Sequence, residues 1–446
     1  MTAASDDRIL LYSPISRRLV IRSNATGASR LGWAPLGDPG AHFPDTLCRP
    51  GYPRHALTWD ESGERLLVHE ADGARSRLFR YTPADDELAA VHTLPGAVST
   101  PALWIGNRVH VPFSNPAHPR TLATIHGGTS GKPVGHTVRQ RARWSEPAVS
   151  TVSTAPAASP VPTAPTMRSA NRPGARLVRL AGADGPIEAI VYGGRDWLRR
   201  DQLVVALHGG PLSAWRCEFD PLLSSLAAAG MAVLAPNYRG STGYGEQHLR
   251  APIGCWGGPD LDDVSALGGS LHRDRADAGL PGPLVLGVSY GAYLALLAAC
   301  AEATTWSGCV ALAPFLSGPS LHASAGEAVR DRVAALGGLG RAEDPSTAPD
   351  VLRQCASLTA PLLLVHGSRD ERVPVVQSRV LRRRLLELGR VEGVDFGYLE
   401  PDADHAGVIA EWPAPLLRRI VRFCRTRRVA PPAAGGSAEA PDGERR

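Results

Sequence analysis

The sequence predicts an α/β protein in which a doubly wound, mostly parallel sheet follows a smaller β-rich region. In the second half of the chain, apolar runs without polar alternation are each followed by a segment with helical spacing. This pattern is typical of parallel strands that are covered by helices on both faces. In the first half, strand-like runs are separated by turn residues, and no helical pattern longer than about three turns stands out.

The 446 residues are too many for one ordinary domain. Residues 1–143 make up the β-rich region, and residues 144–175 are rich in Pro, Ala, Ser and Thr without apolar periodicity. Such a composition predicts a linker. Residues 176–428 carry the α/β pattern, and residues 429–446 are expected to be a disordered tail.

The β-rich region contains strand-like runs at residues 18–22, 65–69, 78–81 and 108–112. Residues 57–68 resemble the repeat unit of a β-propeller blade. Since a blade takes about 40–45 residues, the region has room for about three blades. An ordinary closed propeller has about 4–8 blades. A shortened propeller and an open β-sheet therefore both remain possible.

The α/β region alternates between buried-strand runs and helical patterns. Strands are expected at 203–207, 232–236, 284–286, 308–313, 361–366 and 394–399, and helices at 221–229, 291–303, 376–388 and 414–425.

Charge and hydropathy exclude several kinds of partner. The net charge of +5 is mild, and nucleic-acid binding would require basic residues gathered into a stripe. The densest arginine clusters, at 382–384 and 418–428, have apolar residues at helical spacing and are expected to be solvated helix faces. No run approaches the roughly 18 apolar residues that span a bilayer, and the acidic N-terminus has no secretory apolar core. We therefore expect a cytoplasmic protein with no nucleic-acid or membrane partner.

The seven cysteines do not form a metal-binding or disulfide pattern. Their number is odd, none lies in a Cys-x-x-Cys pair, and several occur in apolar runs. Buried, reduced thiols are the expected outcome.

The segment Gly287-Val-Ser289-Tyr-Gly291 is the strongest chemical signal. It lies between an expected strand and a helix, where a serine on a sharp turn needs small residues two positions before and after it. Such a turn exposes the serine hydroxyl and frees the amide of Tyr290 to donate to an oxyanion. Ser289 is therefore the predicted nucleophile.

A hydroxyl nucleophile needs a base, and the base needs an orienting carboxylate. On a sheet of this kind they follow the serine in the order Asp, His, after later strands. Asp370 follows the strand at 361–366, and His405 follows the strand at 394–399. We prefer Asp370 to its competitors because it alone ends the loop directly after the penultimate strand. The competing carboxylates are Glu371, Asp402 and Asp404.

Other histidines are assigned structural roles. His366 is placed within a strand as a packed, hydrogen-bonded core residue, and His322 and His248 have no supporting context. His208 precedes Gly209-Gly210-Pro211 after an early strand, where the glycines allow the backbone to approach a substrate oxygen and supply a second oxyanion donor. We expect His208 itself to be structural.

Five motifs in order resemble the prolyl oligopeptidase family of α/β-hydrolases, in particular its acylaminoacyl-peptidase branch. They are the His-Gly-Gly-Pro at 208–211, Pro-Asn-Tyr-Arg-Gly-Ser-Thr-Gly-Tyr-Gly at 236–245, Trp-Gly-Gly at 256–258 with Asp263-Val, the serine motif at 287–293, and His-Gly-Ser-Arg-Asp-Glu-Arg-Val-Pro at 366–374.

The resemblance covers about residues 176–428 and implies a Ser289–His405–Asp370 triad. It also implies an oxyanion hole formed by the amides of Gly210 and Tyr290, an active-site loop at 237–245 and a structural role for Asp263. Two features depart from the family pattern. The N-terminal region is short for a complete propeller, and Asp404 stands where the family usually has glycine before the histidine. A carboxylate there would raise the pKa of His405 only if it pointed inward.

Together these observations predict a serine peptidase that acts on peptide or acyl-peptide bonds through an acyl-enzyme, without metal or organic cofactor. The alternatives are a peptide-tailoring cyclase or acyltransferase, a carboxylesterase that acts on acylated small molecules, and a catalytically silent binding module.

Overall fold

A computed structural model describes residues 8–23, 30–38, 40–94, 96–126, 174–340 and 348–429 of the chain. The expected linker, except for its last two residues, and the expected tail, except for Val429, lie outside the described residues.

The N-terminal region folds into three antiparallel sheets in succession. The first contains β1 (Arg8–Ser13), β2 (Arg18–Ser23) and β3 (Arg30–Pro35). The second contains β4 (Arg54–Trp59), β5 (Leu66–Asp72), β6 (Arg75–Thr82) and β7 (Glu87–Leu94). The third contains β8 (Ala97–Val98), β9 (Leu103–Ile105), β10 (Arg108–Asn115) and β11 (His118–His126), with β10 paired to the other three. The β-rich character expected of this region is confirmed, with three, four and four strands in its successive sheets.

The middle sheet of this region is buried on both faces. Leu66 and Val68 of β5 pack in one apolar cluster with side chains of the first sheet, such as Val20. Leu67, which points to the opposite face, packs in a second cluster with Trp104 and other side chains of the third sheet. Because successive strand residues face opposite sides, a continuous apolar run is what a sheet between two neighbours requires.

The α/β region is built on one eight-stranded sheet with the order β12-β13-β15-β14-β16-β17-β18-β19. β12 and β13 form an antiparallel hairpin, and the strands from β15 onward are parallel to one another. The strands are β12 (Ala175–Gly182), β13 (Gly185–Tyr192), β14 (Leu203–Leu207), β15 (Ala232–Pro236), β16 (Leu284–Val288), β17 (Cys309–Leu312), β18 (Leu362–Val365) and β19 (Phe396–Leu399).

Helices cover both faces of this sheet. They are α1 (Pro221–Ala228), α2 (Glu246–Arg250), α3 (Pro259–Ala276), α4 (Tyr290–Ala301), α5 (Gly318–Ser324), α6 (Glu327–Ala335), α7 (Val351–Gln354), α8 (Val376–Glu387), α9 (His405–Ile409) and α10 (Ala414–Thr426).

The two faces of the sheet form separate apolar cores. In β14, Val205 and Leu207 belong to the core on the side of α3 and α4, whereas Val204 and Ala206 belong to the core on the side of α1 and α10. The expected doubly wound architecture is confirmed, and the predicted strands lie within two residues of the observed ones.

The apolar pattern of the sequence does not predict α3, the longest helix in the described part of the chain. Its buried residues do recur at helical spacing, but they include Asp260, Asp263, Gly268 and Arg275. A search for apolar periodicity does not detect this face, because four of its seven buried residues are charged or glycine.

A hairpin of the N-terminal region docks onto the α/β region. At the turn between β5 and β6, the Gly73 amide donates to the Gly243 carbonyl at 2.7 Å, and the Cys217 amide donates to the Ala74 carbonyl at 2.7 Å. Ala74 is fully buried within the α/β core that contains α1. The tip of this hairpin is thus part of the packing around residues 215–217 and 237–245.

No disulfide joins any of the seven cysteines, all of which lie in the described ranges, and five of them are buried. Among the described helices, none is long and apolar enough to span a membrane.

Candidate active site

Ser289 occupies a strained turn between β16 and α4. Its φ of 53° and ψ of −116° lie where residues other than glycine are rare. A Cβ on Gly287 would lie 2.0 Å from the Gly291 carbonyl oxygen, and one on Gly291 would lie 2.3 Å from the His208 carbonyl oxygen. Only glycine fits at these two positions, so the spacing of the motif is a steric requirement of the turn. The Ser289 side chain is presented at the carboxyl edge of the sheet.

Asp370 and His405 meet at the same edge, after β18 and β19. The His405 Nδ1 donates to Asp370 Oδ2 at 2.6 Å, and both side chains are buried. Because Nδ1 faces a carboxylate, Nε2 of the ring remains available to accept a proton. No hydrogen bond joins the Ser289 hydroxyl to the His405 ring within the described part of the chain. Such bonds often tighten only when substrate is bound.

The Asp370 carboxylate is held in its ionised form. Burial raises its pKa, but hydrogen bonds from His366 and His405 and from the Val373 amide outweigh burial and leave the pKa well below its usual value. The Arg372 and Val373 amides donate to Oδ1 at 2.9 and 2.8 Å. A carboxylate fixed in this way can orient an imidazole and stabilise its protonated form.

The competing carboxylates do not bind the His405 ring. Asp402 is exposed and binds the Arg369 guanidinium at 2.6 Å. Asp404 accepts a hydrogen bond from the Gly407 amide at 2.8 Å and caps the first turn of α9. Its side chain is therefore used by the helix that begins at His405, not by the His405 ring. Glu371 is exposed.

The loops that carry Asp370 and His405 are bonded to each other. The Ser368 amide donates to the Pro401 carbonyl at 2.9 Å, and the Arg369 amide donates to the Ala403 carbonyl at 3.0 Å. These two backbone bonds fix the relative position of the carboxylate and the imidazole, which come from segments 35 residues apart.

Two backbone amides near Ser289 are available to bind an oxyanion. A Cβ built on Gly209 would lie 3.7 Å from the Ser289 Cβ, which places the 208–211 loop beside the serine. The amide of Tyr290 begins α4, and the first amides of a helix have no intrahelical acceptor. Among the described residues, neither the Gly210 nor the Tyr290 amide donates to a protein acceptor. Such free amides are what an oxyanion hole needs.

The His208 side chain stabilises the 208–211 loop. Its Nε2 lies 2.7 Å from the Ser241 hydroxyl and its ring stacks on Tyr238, whose hydroxyl donates to the His208 carbonyl at 2.6 Å. Burial lowers the pKa of His208 to about 4, so the ring is neutral near pH 7. Through these contacts His208 connects the 208–211 loop to the 237–245 loop.

Asp263 anchors the 237–245 loop to the first hairpin of the sheet. Its Oδ1 accepts from the Ala183 amide at 3.0 Å, and its Oδ2 accepts from the Arg239 amide at 3.0 Å and from the Arg239 side chain at 3.1 Å. Asp263 is buried. The carboxylate thus holds three segments together without reaching the serine motif.

Asp260 and His366 contact residues of the site, but the sequence does not predict either contact. The Tyr290 hydroxyl donates to Asp260 Oδ2, and Asp260 is fully buried. His366 lies just beyond the end of β18 and not within the strand, with Nε2 3.4 Å from Asp370 Oδ2. Neither contact has a signal in the sequence, because each depends on how separate turns pack in three dimensions.

Residues 217–426 match the family model of the prolyl oligopeptidase family. The acylamino-acid-releasing enzyme of Sus scrofa is 30% identical over 225 residues, which cover 46% of this chain and 30% of that protein. The uncharacterized peptidase YuxL of Bacillus subtilis is 30% identical over 202 residues, which cover 42% of this chain and 29% of that protein. This chain thus matches less than a third of the length of either relative.

Solved structures share the fold over most of the chain. The acylaminoacyl peptidase of Pyrococcus horikoshii aligns with a TM-score of 0.70 and 15% identity, covering 93% of this chain and 62% of that one. A puromycin-hydrolyzing peptidase of Mycobacterium tuberculosis aligns with a TM-score of 0.65 and 21% identity, covering 94% of this chain and 61% of that one. Residues 217–426 are thus similar in sequence to the prolyl oligopeptidase family, and the chain shares its fold with the solved structures of these peptidases.

Proposed function

We propose that the protein is a serine hydrolase that cleaves peptide or acyl-peptide bonds, with Ser289, His405 and Asp370 as its triad. The buried hydrogen bond between Asp370 and His405, at the sheet edge where Ser289 occupies a strained turn, carries this proposal. The three groups come from three separate strand ends, and their order along the chain is the one expected for this fold.

The proposed reaction begins when His405 Nε2 accepts the Ser289 hydroxyl proton and the serine oxygen attacks the substrate carbonyl carbon. The Gly210 and Tyr290 amides stabilise the oxyanion, and His405 then donates its proton to the leaving amine. His405 then takes a proton from a water molecule, the water oxygen attacks the acyl carbon, and His405 returns the proton to the Ser289 oxygen as the carboxylic acid leaves. Asp370 keeps Nδ1 protonated and stabilises the imidazolium without accepting its proton.

The proposed substrates are acylated amino acids and short peptides. This proposal is supported by two proteins similar to this chain, one named as an acylamino-acid-releasing enzyme and the other as a puromycin-hydrolyzing peptidase. We also propose the four-part division of the chain at residues 143, 175 and 428. It is supported by β12, which begins the α/β sheet at Ala175.

For the compartment, we propose the cytoplasm. Burial raises the pKa of the Cys300 and Cys424 thiols to about 12, which keeps them in the unreactive thiol form. Cell fractionation with an antibody against the protein tests this assignment.

Labelling with a fluorophosphonate probe, followed by turnover of acylated amino-acid p-nitroanilides, tests the triad. We expect Ser289→Ala to abolish labelling and to lower kcat by about 10⁴–10⁶-fold, as triad removal does in other serine hydrolases. Ser357→Ala, at an exposed serine in the same region, is the matched control and should label like the wild type. Undiminished turnover by Ser289→Ala would contradict the proposed function.

A further inference from the structure

The Asp370 carboxylate has a second imidazole beside it. His366 is fully buried, and its Nε2 lies 3.4 Å from Asp370 Oδ2 and 2.7 Å from the Val373 carbonyl oxygen. Its Nδ1 lies 2.7 Å from the Ser378 hydroxyl at the beginning of α8. The ring is therefore held on both nitrogens.

These partners define the tautomer of His366. The Val373 carbonyl can only accept, so Nε2 must carry a hydrogen. The Ser378 hydroxyl can donate to Nδ1, and a neutral ring with its hydrogen on Nε2 then satisfies both contacts. The same Nε2–H, which donates to the Val373 carbonyl, lies close to Asp370 Oδ2, and its partial positive charge attracts the carboxylate.

The environment of Asp370 shows what this contact adds. The Arg372 and Val373 amides both donate to Oδ1. Oδ2 faces the His405 Nδ1 at 2.6 Å and, within the described ranges, His366 is the other side chain that reaches it. Without His366, one oxygen would be fixed by the backbone and the other by the very ring that it has to orient.

We propose that His366 is a positioning residue for the triad, whose Nε2–H fixes Asp370 Oδ2 in the direction of the His405 ring. This inference rests on the proposed function. A histidine that served only the core would be satisfied by Val373 and Ser378, and its contact with Oδ2 would have no consequence for turnover. The two roles therefore differ in what they predict for kcat.

Three variants separate these roles. His366→Phe keeps an aromatic ring but removes the donor. His366→Gln keeps a side-chain N–H for the carbonyl and carboxylate and an oxygen that can accept from Ser378. Ser378→Ala leaves the ring in place but removes the hydroxyl that holds its Nδ1.

We expect His366→Phe to lower kcat by about 10–100-fold with KM within about twofold, because misplacement of a catalytic group by about 1 Å has effects of this size. His366→Gln should recover most of the loss, and Ser378→Ala should show a smaller loss of the same kind. Because the His405 Nδ1–H donates to a carboxylate at 2.6 Å, we expect its proton NMR signal to lie far downfield in the wild type, to shift upfield in His366→Phe and to remain in His366→Gln.

Two results would overturn the inference. One is a kcat of His366→Phe within twofold of the wild type together with an unchanged Nδ1–H signal. The other is a parallel loss of activity and thermal stability in both the Phe and the Gln variants, which would assign His366 to the core alone. If the wild type shows no turnover that depends on Ser289, the proposed function fails instead. The NMR signal still reports whether His366 holds the Asp370–His405 pair.

Discussion

The Arg369 guanidinium binds the Asp402 carboxylate at 2.6 Å, across the two loops that carry Asp370 and His405. Both partners are exposed, with 67% and 80% of their side-chain surfaces accessible. Beneath them, backbone hydrogen bonds from Ser368 and Arg369 join the same two loops. Two different interactions thus connect one pair of loops, and they should differ greatly in importance.

Arg369→Ala should have little effect. Exposed ion pairs contribute about 0–1 kcal/mol, since water and salt screen the charges. We expect the free energy of unfolding in urea to fall by less than about 1 kcal/mol. Turnover should remain within about threefold of the wild type, because the backbone bonds are intact. A tenfold loss of kcat would show that the ion pair, and not the backbone, holds the two loops together.

Gly367→Ala should be much more harmful. A Cβ at this position would lie 2.3 Å from the Ala403 carbonyl oxygen and 2.9 Å from the Asp404 carbonyl oxygen. Because both obstacles are backbone atoms, the loop that leads to His405 has to move. We expect kcat to fall by about 100-fold or more, since displacements of about 1 Å have this effect.

Gly326→Ala is the control for this substitution. Gly326 has an ordinary φ of −69°, and a Cβ there meets nothing within 4 Å. The Gly326→Ala variant should therefore retain wild-type turnover and stability. Equal turnover in the two variants would mean that the close approach of the loops is not needed for activity.

The parts of the site that the sequence predicts are those fixed by local geometry. Ser289 is identifiable because the turn that exposes it excludes a side chain at Gly287 and Gly291. This steric requirement therefore appears in a segment of only five residues. The strands of the α/β sheet are identifiable because burial on both faces makes their apolar runs continuous.

The contacts that the sequence does not predict depend on segments that are distant in the chain. Asp260 accepts a hydrogen bond from the Tyr290 hydroxyl, which is 30 residues away in the sequence. Asp260 lies on a largely polar face of α3, so apolar periodicity does not reveal this helix. His366 is close to Asp370 in sequence, but its role depends on Ser378 and on the packing of α8. Pairings of this kind leave no periodic signal.

The buried carboxyl group of Asp260 should make the stability of the protein depend on pH. Burial raises its pKa from 3.8 to about 6, although hydrogen bonds from the Tyr290 hydroxyl and backbone amides oppose the rise. The folded state therefore holds the proton more tightly than the unfolded state. This contribution to stability is fully present below about pH 3.8 and is lost as the pH rises through about 6.

Asp260→Asn removes this titration. Between pH 4 and pH 7 the free energy of unfolding of the variant should rise relative to that of the wild type by up to about 3 kcal/mol, at about 1.36 kcal/mol per pKa unit. Urea unfolding at several pH values measures the difference. Asp262→Asn removes an exposed carboxylate on the same helix, and its free energy of unfolding should change with pH in parallel with that of the wild type. A parallel curve for Asp260→Asn would mean that Asp260 does not titrate in this range.

Glu188 should couple the N-terminal region to the α/β domain. Its Oε1 accepts hydrogen bonds from the Ala74 amide at 3.1 Å and from the Tyr244 hydroxyl at 2.9 Å. Tyr244 in turn accepts from the Asn237 side-chain amide at 2.7 Å. One carboxylate therefore joins the tip of the β5–β6 hairpin to the 237–245 loop beside the proposed active site.

Glu188→Ala should loosen this junction without unfolding either region. A buried donor left without a partner costs about 1–3 kcal/mol, which corresponds to about 5–150-fold faster local opening. We expect amide hydrogen exchange at Ala74 and Cys217 to accelerate within this range, whereas exchange in the central strand β14 stays unchanged because the sheet core is untouched. Glu64→Ala, at an exposed glutamate of the N-terminal region, is the control. Uniform acceleration in β14 would show that Glu188 stabilises the α/β domain as a whole. Unchanged exchange at Ala74 would show that the backbone bonds of the hairpin suffice to hold the two regions together.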